Sequence, residues 1–175
     1  MKRLFLLFAI LPFIVVAQKM PSIEEKTKDM KKLEGFFNIY FNEDDGKIWL
    51  EINKLDSEIL YQTSLPAGLG SNDIGLDRGK LGDTRIIRFT KVGKKIFMVQ
   101  PNYDYRANTE DLKEKRAVEQ SFAESVIWGF TAEAATNNAI LVDATDFLLR
   151  DANKVSNTIK NMNQGNYTVD KSRSA

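Results

Sequence analysis

The sequence predicts an α+β fold, built from antiparallel β-hairpins with about six to seven strands in all and two main helices. Three pairs of strand-like runs are each joined by a short turn rich in glycine, aspartate or asparagine. Two further segments repeat apolar residues at the three- or four-residue spacing of an amphipathic helix. The 175 residues include 11 phenylalanines, which supply enough apolar volume for the core of one domain.

Two hairpins are predicted in the first hundred residues. The first joins the runs 36–42 and 47–52 through an Asp-Asp-Gly turn at 44–46. The second joins the runs 84–92 and 95–100 through a Gly-Lys turn. Because both faces of the second hairpin carry apolar side chains, we expect it to lie at the centre of the sheet.

The second half of the chain predicts a helix on each side of a third hairpin. The first helix covers 110–125, and its apolar stripe consists of Val118, Phe122 and Val126. The hairpin pairs 127–134 with 139–142. The second helix begins at Thr145 or Asp146. Its apolar positions are Leu148, Ala152, Val155 and Ile159.

The N-terminus is typical of a secretory signal peptide covering residues 1–17. Lys2 and Arg3 precede an apolar stretch at 4–16, and small residues end at Ala17. The alternative, a membrane anchor, needs about 20 apolar residues, and this stretch is shorter. We therefore expect an exported protein, periplasmic or extracellular, with no membrane span after the signal peptide is cleaved.

The remaining chain divides into a leader and one domain. Residues 18–34 are predicted to form a loosely attached leader with a short helix, because Ser22 and Glu25 fit a capping box. Residues 35–175 are predicted to form a single α+β domain that is incomplete at its C-terminal end. An extended run begins at 167–170, shortly before the sequence stops.

Composition excludes several function classes. The chain has no His and no Cys, so it cannot form disulfides or carry Ser-His-Asp or Cys-His catalysis. Loss of Lys2 and Arg3 with the signal peptide would leave 23 basic and 24 acidic residues. Such a balanced charge argues against a nucleic-acid partner. Only carboxylates, Lys and Tyr remain as catalytic groups.

A strand candidate at 58–64 precedes a segment, 65–82, that holds five of the ten glycines. Asp73 and Leu81 depart from the dinucleotide and P-loop fingerprints, so nucleotide binding is not indicated. Oxygen ligands for calcium are available, but their spacing does not match an EF-hand. The segment is either an ordered connecting loop or a loop that borders the cleft of another domain. The candidate interaction residues are Gly68, Gly70, Asn72, Asp73, Asp77 and Arg78.

Two other groups of residues are weaker candidates. Asp143 and Asp146, with Asp151 nearby, could supply the carboxylate pair of a glycoside hydrolase, although acids at the start of a helix are more often caps. Aromatic residues could form a sugar-stacking platform, or they could pack within the sheet. These aromatic residues are Trp49, Trp128, Tyr103 and Tyr105.

Several sequence blocks together resemble a known family. The most specific are Ser64-Leu-Pro-Ala-Gly-Leu-Gly-Ser-Asn-Asp-Ile-Gly-Leu-Asp-Arg-Gly79 and Leu141-Val-Asp-Ala-Thr-Asp-Phe-Leu-Leu-Arg-Asp151. The others are 33–37, 46–52, 85–89, 99–106, 118–129 and 170–175. From about residue 31 onwards the chain resembles the N-terminal region of large exported bacterial zinc-dependent metalloproteases. In that family this region is a domain of unknown function ahead of the catalytic domain.

The resemblance implies a non-catalytic role. The family's zinc-binding His-Glu-x-x-His helix lies downstream of the matched region, and a chain without His cannot contain it. No catalytic or metal-binding residue is therefore assigned here, and zinc is implied only for a missing catalytic domain. We expect this region to brace or cover that domain, its main partner, and to contact protein or peptide substrate. The alternative is a stand-alone exported module that binds glycan or protein through 65–82.

Overall fold

The computed structural model describes residues 20–70 and 72–173, and in this part of the chain eight antiparallel strands form one curled sheet. The strands are β1 (Lys31–Leu33), β2 (Asn38–Asn42), β3 (Lys47–Ile52), β4 (Ile59–Ser64), β5 (Leu81–Val92), β6 (Lys95–Gln100), β7 (Ser125–Ala135) and β8 (Ile140–Asp143). The helices are α1 (Ile23–Thr27), α2 (Leu112–Ser121), α3 (Thr145–Leu148) and α4 (Val155–Asn161), and 3₁₀ turns cover Asn72–Ile74 and Lys171–Arg173. The predicted α+β class is confirmed, with eight strands in place of six to seven. The signal peptide predicted at 1–17 lies outside the described residues.

The sheet has the strand order β1-β2-β3-β8-β7-β6-β5-β4. The three predicted hairpins are present as β2–β3, β5–β6 and β7–β8, and β5 and β6 are interior strands as expected. After β3 the chain crosses to the opposite edge of the sheet to begin β4. On the way Asp56 donates its backbone N–H to the carbonyl of Phe89 at 2.8 Å, and Leu55 bridges to the same residue. This contact between the end of β3 and β5 requires the sheet to curl.

Two apolar clusters pack on the two faces of the sheet. The inner core lies inside the curl and consists of Ile52, Ile87, Phe89, Ile96, Met98, Phe130, Ala132, Ile140, Val142, Ala144 and Phe147. The outer core consists of Ile23, Tyr40, Trp49, Ala134, Ala139 and Leu141. Strand β8 serves both cores, because Ile140 and Val142 face inwards while Leu141 faces outwards. Its continuous apolar sequence is thus explained by burial on both faces.

Helix α1 covers the outer core. Ser22 caps it as predicted, since its hydroxyl oxygen accepts the backbone N–H of Glu25 at 3.1 Å. Ile23 is buried in the outer core, and the backbone N–H of Ala135 donates to the carbonyl of Pro21 at 3.0 Å. The helix is therefore packed against the sheet, and the expectation of a loosely attached leader is wrong. Ile23 and Thr27 lie one turn apart and are both buried, so even a helix of five residues presents a packed face to the sheet.

The first predicted helix forms, but it does not pack as expected. Helix α2 starts after Asp111, whose carboxylate accepts the backbone N–H of Lys113 at 2.7 Å, and it buries no residue. Phe122, in the predicted stripe, stacks on Tyr105 with ring centroids 3.9 Å apart, outside both cores. The apolar spacing that predicted a core-facing helix therefore reflects a local contact between Phe122 and Tyr105.

The single helix predicted from Thr145 or Asp146 through Ile159 is wrong, because the chain forms two short helices there. Between α3 and α4, Lys154 takes a left-handed conformation with φ of 55°. The Asp151 carboxylate accepts the backbone N–H groups of Val155 at 2.7 Å and Ser156 at 2.9 Å, which restarts the helix. Among the described residues no helix has the length and apolar character needed to span a bilayer.

Candidate functional site

A groove runs along strand β4, between this strand and the segment that joins α3 to α4. It consists of two adjoining clefts of about 380 Å³ and 460 Å³. Both clefts are lined by Tyr61, Thr63, Arg150, Ala152 and Asn153, so they form one continuous depression. We call this depression the β4 groove. Among the described residues, strand β4 is an edge strand that pairs with β5 alone.

The floor of the groove continues the inner face of the sheet. Residues two apart in a strand point to the same face, so the face of β5 that buries Ile87 also carries Arg85 and Asp83. Tyr61 lies directly opposite Arg85 on β4. The inner face is therefore apolar at the core and becomes polar where the curled sheet opens.

Arg150 lies at the junction of the two clefts and is held from several sides. Its Nε donates to the carbonyl of Phe147 at 2.9 Å, and its Nη2 donates to the hydroxyl of Tyr61 at 3.0 Å. The guanidinium carbon lies 4.6 Å from the ring centroid of Phe147 and 5.6 Å from that of Trp128. These contacts fix a half-buried cation in place.

The two arginines of the groove differ in their charge partners. Arg85 donates to the Oδ2 of Asp83 at 2.9 Å and to the Oε1 of Gln100 at 2.6 Å, so its charge is matched within the chain. In the described part of the chain no carboxylate lies within ion-pair distance of Arg150. The groove can therefore attract an anionic group to Arg150.

A close backbone approach at Gly82 forms one wall of the groove. The hydroxyl of Thr63 donates to the Oδ1 of Asn153 at 2.6 Å, directly above Gly82. A Cβ at position 82 would overlap the Thr63 hydroxyl and would lie 2.5 Å from the Asn153 oxygen. Glycine is needed here for space, which brings β4, β5 and the α3–α4 segment together.

The glycine-rich segment 65–82 connects β4 to β5, and its described residues form two arms. Its two arms pair where the N–H of Leu65 donates to the carbonyl of Lys80 at 3.0 Å, and where the N–H of Leu69 donates to the carbonyl of Leu76 at 3.1 Å. Leu76 is only 1% exposed and anchors the segment. A Cβ at Gly68 would come within 2.8 Å of the backbone nitrogen of Arg78, so the two arms could not approach as closely with a larger residue.

The predicted interaction residues lie on this segment but do not line the groove. Asp73, Asp77 and Arg78 are exposed, and Gly70 has a left-handed φ of 74°. Gly68 packs against the opposite arm, and the side chain of Asn72 lies outside the described residues. Only the base of the segment reaches the groove, through Leu65, Pro66 and Gly82. Within residues 20–70 and 72–173, no group of three or more His, Cys, Asp or Glu side chains is placed to hold a metal ion.

The two weak catalytic candidates near α3, Asp143 and Asp146, have separate partners. Asp143 accepts the backbone N–H of Thr145 at 3.0 Å and lies 3.5 Å from the Lys47 ammonium. Burial alone would raise the pKa of Asp143, but the hydrogen bonds from Thr145 and the charge of Lys47 outweigh it, so this pKa is lowered. Asp146, the other weak catalytic candidate, is exposed and pairs with Lys171. Asp143 therefore holds the first residue of α3 and pairs with a lysine, and Asp146 pairs with a second lysine.

The aromatic residues singled out by sequence do not form a common platform. Trp49 is buried in the outer core, and Trp128 packs against Phe130 and Phe147. Tyr103 and Tyr105 are exposed in the segment before α2. Sequence reasoning missed Tyr61, Arg85 and Arg150, because their positions in the chain give no sign that they meet. The one available signal was the appearance of polar residues at inward-facing positions of β4 and β5.

Two family models match the chain. The model described as Domain of unknown function (DUF5117) matches residues 79–175, which is more than half of the sequence. The chain belongs to the DUF5117 family. The model described as Domain of unknown function (DUF5118) matches residues 20–68. No curated protein and no solved structure matches the chain.

The DUF5117 and DUF5118 regions build one sheet. The DUF5118 match covers β1 to β4, and the DUF5117 match covers β5 to β8. Strand β3 pairs with β8, and β4 pairs with β5, so each region completes the sheet of the other. The matched regions are separated only by part of the glycine-rich segment. The β4 groove lies where they meet, with Tyr61 from DUF5118 and Arg85 and Arg150 from DUF5117.

Proposed function

We propose that this DUF5117 chain is the non-catalytic N-terminal region of an exported zinc-dependent metalloprotease, and that it braces or covers the catalytic domain. The proposal starts from the sequence resemblance described above. It assigns zinc to the catalytic domain, because a chain without His and Cys lacks the usual zinc ligands. The observation that carries the proposal is that backbone hydrogen bonds tie the two described arms of segment 65–82 together while Asp77 and Arg78 are exposed.

The shape of segment 65–82 suits docking against another domain. The buried Leu76 and the backbone hydrogen bonds between the two arms hold it to the sheet. Asp77 and Arg78 are exposed beside this anchor. A segment ordered before binding loses little conformational entropy when it docks, so its contacts contribute more fully to affinity.

Two experiments test this proposal. Reading the source gene past the codon for Ala175 should reveal an in-frame His-Glu-x-x-His motif, and a continuation without a zinc-binding motif would overturn it. In the full-length protein, the double substitution Asp77→Ala with Arg78→Ala should speed heat inactivation of casein hydrolysis. The matched control is Glu43→Ala with Lys94→Ala, which removes one charge of each sign from two exposed hairpin turns. Equal inactivation rates for the two variants would contradict docking through 65–82.

A second candidate function is a stand-alone exported module that binds glycan or protein. The observation that favours it is the β4 groove, which combines donors with apolar walls such as Ile127 and Ala152. The isolated chain should then bind its ligand with full affinity in the absence of any catalytic domain. Binding screens against glycans and peptides, read by calorimetry, distinguish the two functions.

A further inference from the structure

We infer that the β4 groove binds an extended peptide through a carboxylate that pairs with Arg150. This inference goes beyond the proposed function and does not depend on it, because it requires no catalytic domain. It rests on the unmatched charge of Arg150, on the charge balance of the groove, and on the open edge of β4.

Arg150 has hydrogen-bond donors and a charge that the described residues leave without an anionic partner. A guanidinium has five N–H donors, and the two hydrogen bonds to Phe147 and Tyr61 use two of them. The remaining donors of this half-buried cation have no carboxylate partner among the described residues, so they can bind an anionic group that enters the groove. A carboxylate fits the planar fork of a guanidinium and supplies the missing charge. The stacking on Phe147 and Trp128 holds the fork ready for such a ligand.

The charge balance of the groove favours a carboxylate over a phosphate. The groove is lined by three cations and two anions. The cations are Arg85, Arg150 and Lys154, and the anions are Asp83 and Asp151. The formal excess is therefore a single positive charge. A monovalent carboxylate neutralises this excess, whereas a phosphate dianion exceeds it by one charge and is repelled about twice as strongly by Asp83 and Asp151.

The open edge of β4 suits an extended peptide as the body of the ligand. Strand β4 is an edge strand, and no described segment other than β5 makes a backbone hydrogen bond to it. An open strand edge pairs readily with an extended peptide, which contributes main-chain hydrogen bonds. The cleft of about 460 Å³ lies beside this edge. Its apolar lining residues, which include Leu65, Pro66 and Phe147, can receive a side chain next to the carboxylate.

The carboxylate has two sources in a peptide, an acidic side chain or the C-terminus, and calorimetry of the whole chain separates them. Three short valine-rich peptides serve as probes: one blocked at both ends with a central glutamate, its glutamine analogue, and a glutamine peptide with a free C-terminus. The glutamate peptide should bind at least about tenfold more tightly than its glutamine analogue, as expected for a charge-assisted hydrogen bond. Tight binding of the third peptide alone would identify the C-terminus as the recognised group. Equal binding of all three, or no binding of any, would overturn the inference.

Variants locate the site. Arg150→Gln should weaken binding of the preferred peptide by about tenfold or more. Arg116→Gln removes the same charge from exposed α2, outside the groove, and should leave the affinity within about twofold. Arg150→Lys keeps the charge without the planar fork and should give an intermediate affinity. If Arg150→Gln fails to fold, the peptide comparison on the unmodified chain still decides the question. Inorganic phosphate that binds more tightly than every peptide would contradict the choice of a carboxylate.

Discussion

Nη2 of Arg150 donates a hydrogen bond to the hydroxyl oxygen of Tyr61 at 3.0 Å, between residues 89 positions apart in the chain. Tyr61 lies within the DUF5118 match and Arg150 within the DUF5117 match. The contact therefore joins the edge strand of one region to the helical segment of the other. It also orients the guanidinium that gives the β4 groove its unmatched charge.

Removing the hydroxyl by Tyr61→Phe should lower the free energy of unfolding by about 1 kcal/mol, because a hydrogen bond to a charged group is lost. Urea unfolding followed by tryptophan fluorescence measures the change. In a double-mutant cycle with Arg150→Lys, the two losses should be less than additive, since either substitution disrupts the same contact. Strictly additive losses would show that the contact does not stabilise the fold.

Gly82→Ala should destabilise the protein by about 1–3 kcal/mol, the cost of overpacking a well-packed site. The new Cβ would collide with the Thr63 hydroxyl and with Asn153, which form the wall of the groove. Gly129→Ala is the matched control in β7, because its Cβ would meet only the Phe97 ring at an ordinary distance of 3.5 Å. In thermal unfolding, the midpoint temperature of Gly82→Ala should lie well below that of Gly129→Ala. The reverse order would contradict the close approach at Gly82.

Asp151 should make the protein more stable at neutral pH than in acid. Burial would raise the pKa of Asp151, but its hydrogen bonds from Ser156 and Val155 outweigh this, and the pKa lies below the usual range. A carboxyl with a depressed folded-state pKa stabilises the fold above its unfolded pKa of about 3.9, and this contribution disappears as pH falls through the folded value.

The test is Asp151→Asn, which should cost about 1 kcal/mol at pH 7, because the amide lacks the negative charge beside the start of α4 and keeps only one of the two acceptor oxygens. The difference from the unmodified chain should shrink as the pH falls below about 5, because the unfolded chain begins to protonate this carboxyl there while the folded chain still holds it ionised. Urea unfolding at a series of pH values measures it. A constant difference over that range would show that ionised Asp151 is not the stabilising form.

The loss of stability at alkaline pH should depend on Tyr40. Burial, followed by the hydrogen bond to Glu51 and the charge of that residue, raises the pKa of Tyr40 to about 12. The Tyr40 hydroxyl donates to the Glu51 carboxylate at 2.8 Å. Because the unfolded pKa is about 10, the neutral phenol stabilises the fold fully below pH 10, and this contribution is lost as the pH rises towards 12.

Tyr40→Phe should therefore be less stable near pH 8 by about 1 kcal/mol, yet lose less stability between pH 10 and 12. The measurement is the midpoint of urea unfolding at each pH for both proteins. Tyr167→Phe is the control, because Tyr167 is 61% exposed and belongs to neither core. Parallel alkaline curves for Tyr40→Phe and the unmodified chain would contradict the raised pKa.

Much of the sheet could be predicted because its signals are local. Strands β3 and β6 have the bounds that alternation and turn residues indicated. The last helical region failed for a different reason. Its apolar spacing fits one helix from Leu148 to Ile159, but the Asp151 carboxylate is a stronger local signal that restarts the helix at Val155. The period of the apolar residues indicates which face of a helix is buried, but it does not detect a carboxylate that caps the start of a new helix.

The groove could not be predicted, because it depends on pairing between distant parts of the chain. Tyr61 and Arg85 become neighbours only when β4 pairs with β5, and Arg150 reaches them only after β8 pairs with β3. Composition drew attention to segment 65–82 instead, since clustered glycines stand out in any sequence. That segment contributes its base to the groove, through Leu65, Pro66 and Gly82.

The two family regions should fold only together. Residues 18–70 without β8 would leave Ile52 of β3 uncovered, and residues 72–175 without β3 and β4 would leave β8 and β5 as open edges. Each half made separately should show little cooperative unfolding by circular dichroism. Mixing them should restore the sheet spectrum and a single elution peak with the mass of the pair. As a control, the intact chain cut between Asp77 and Arg78 should remain associated, because both residues are exposed while the β3–β8 and β4–β5 pairings persist. Cooperative unfolding of either half alone would show that the DUF5118 and DUF5117 regions are separate folding units.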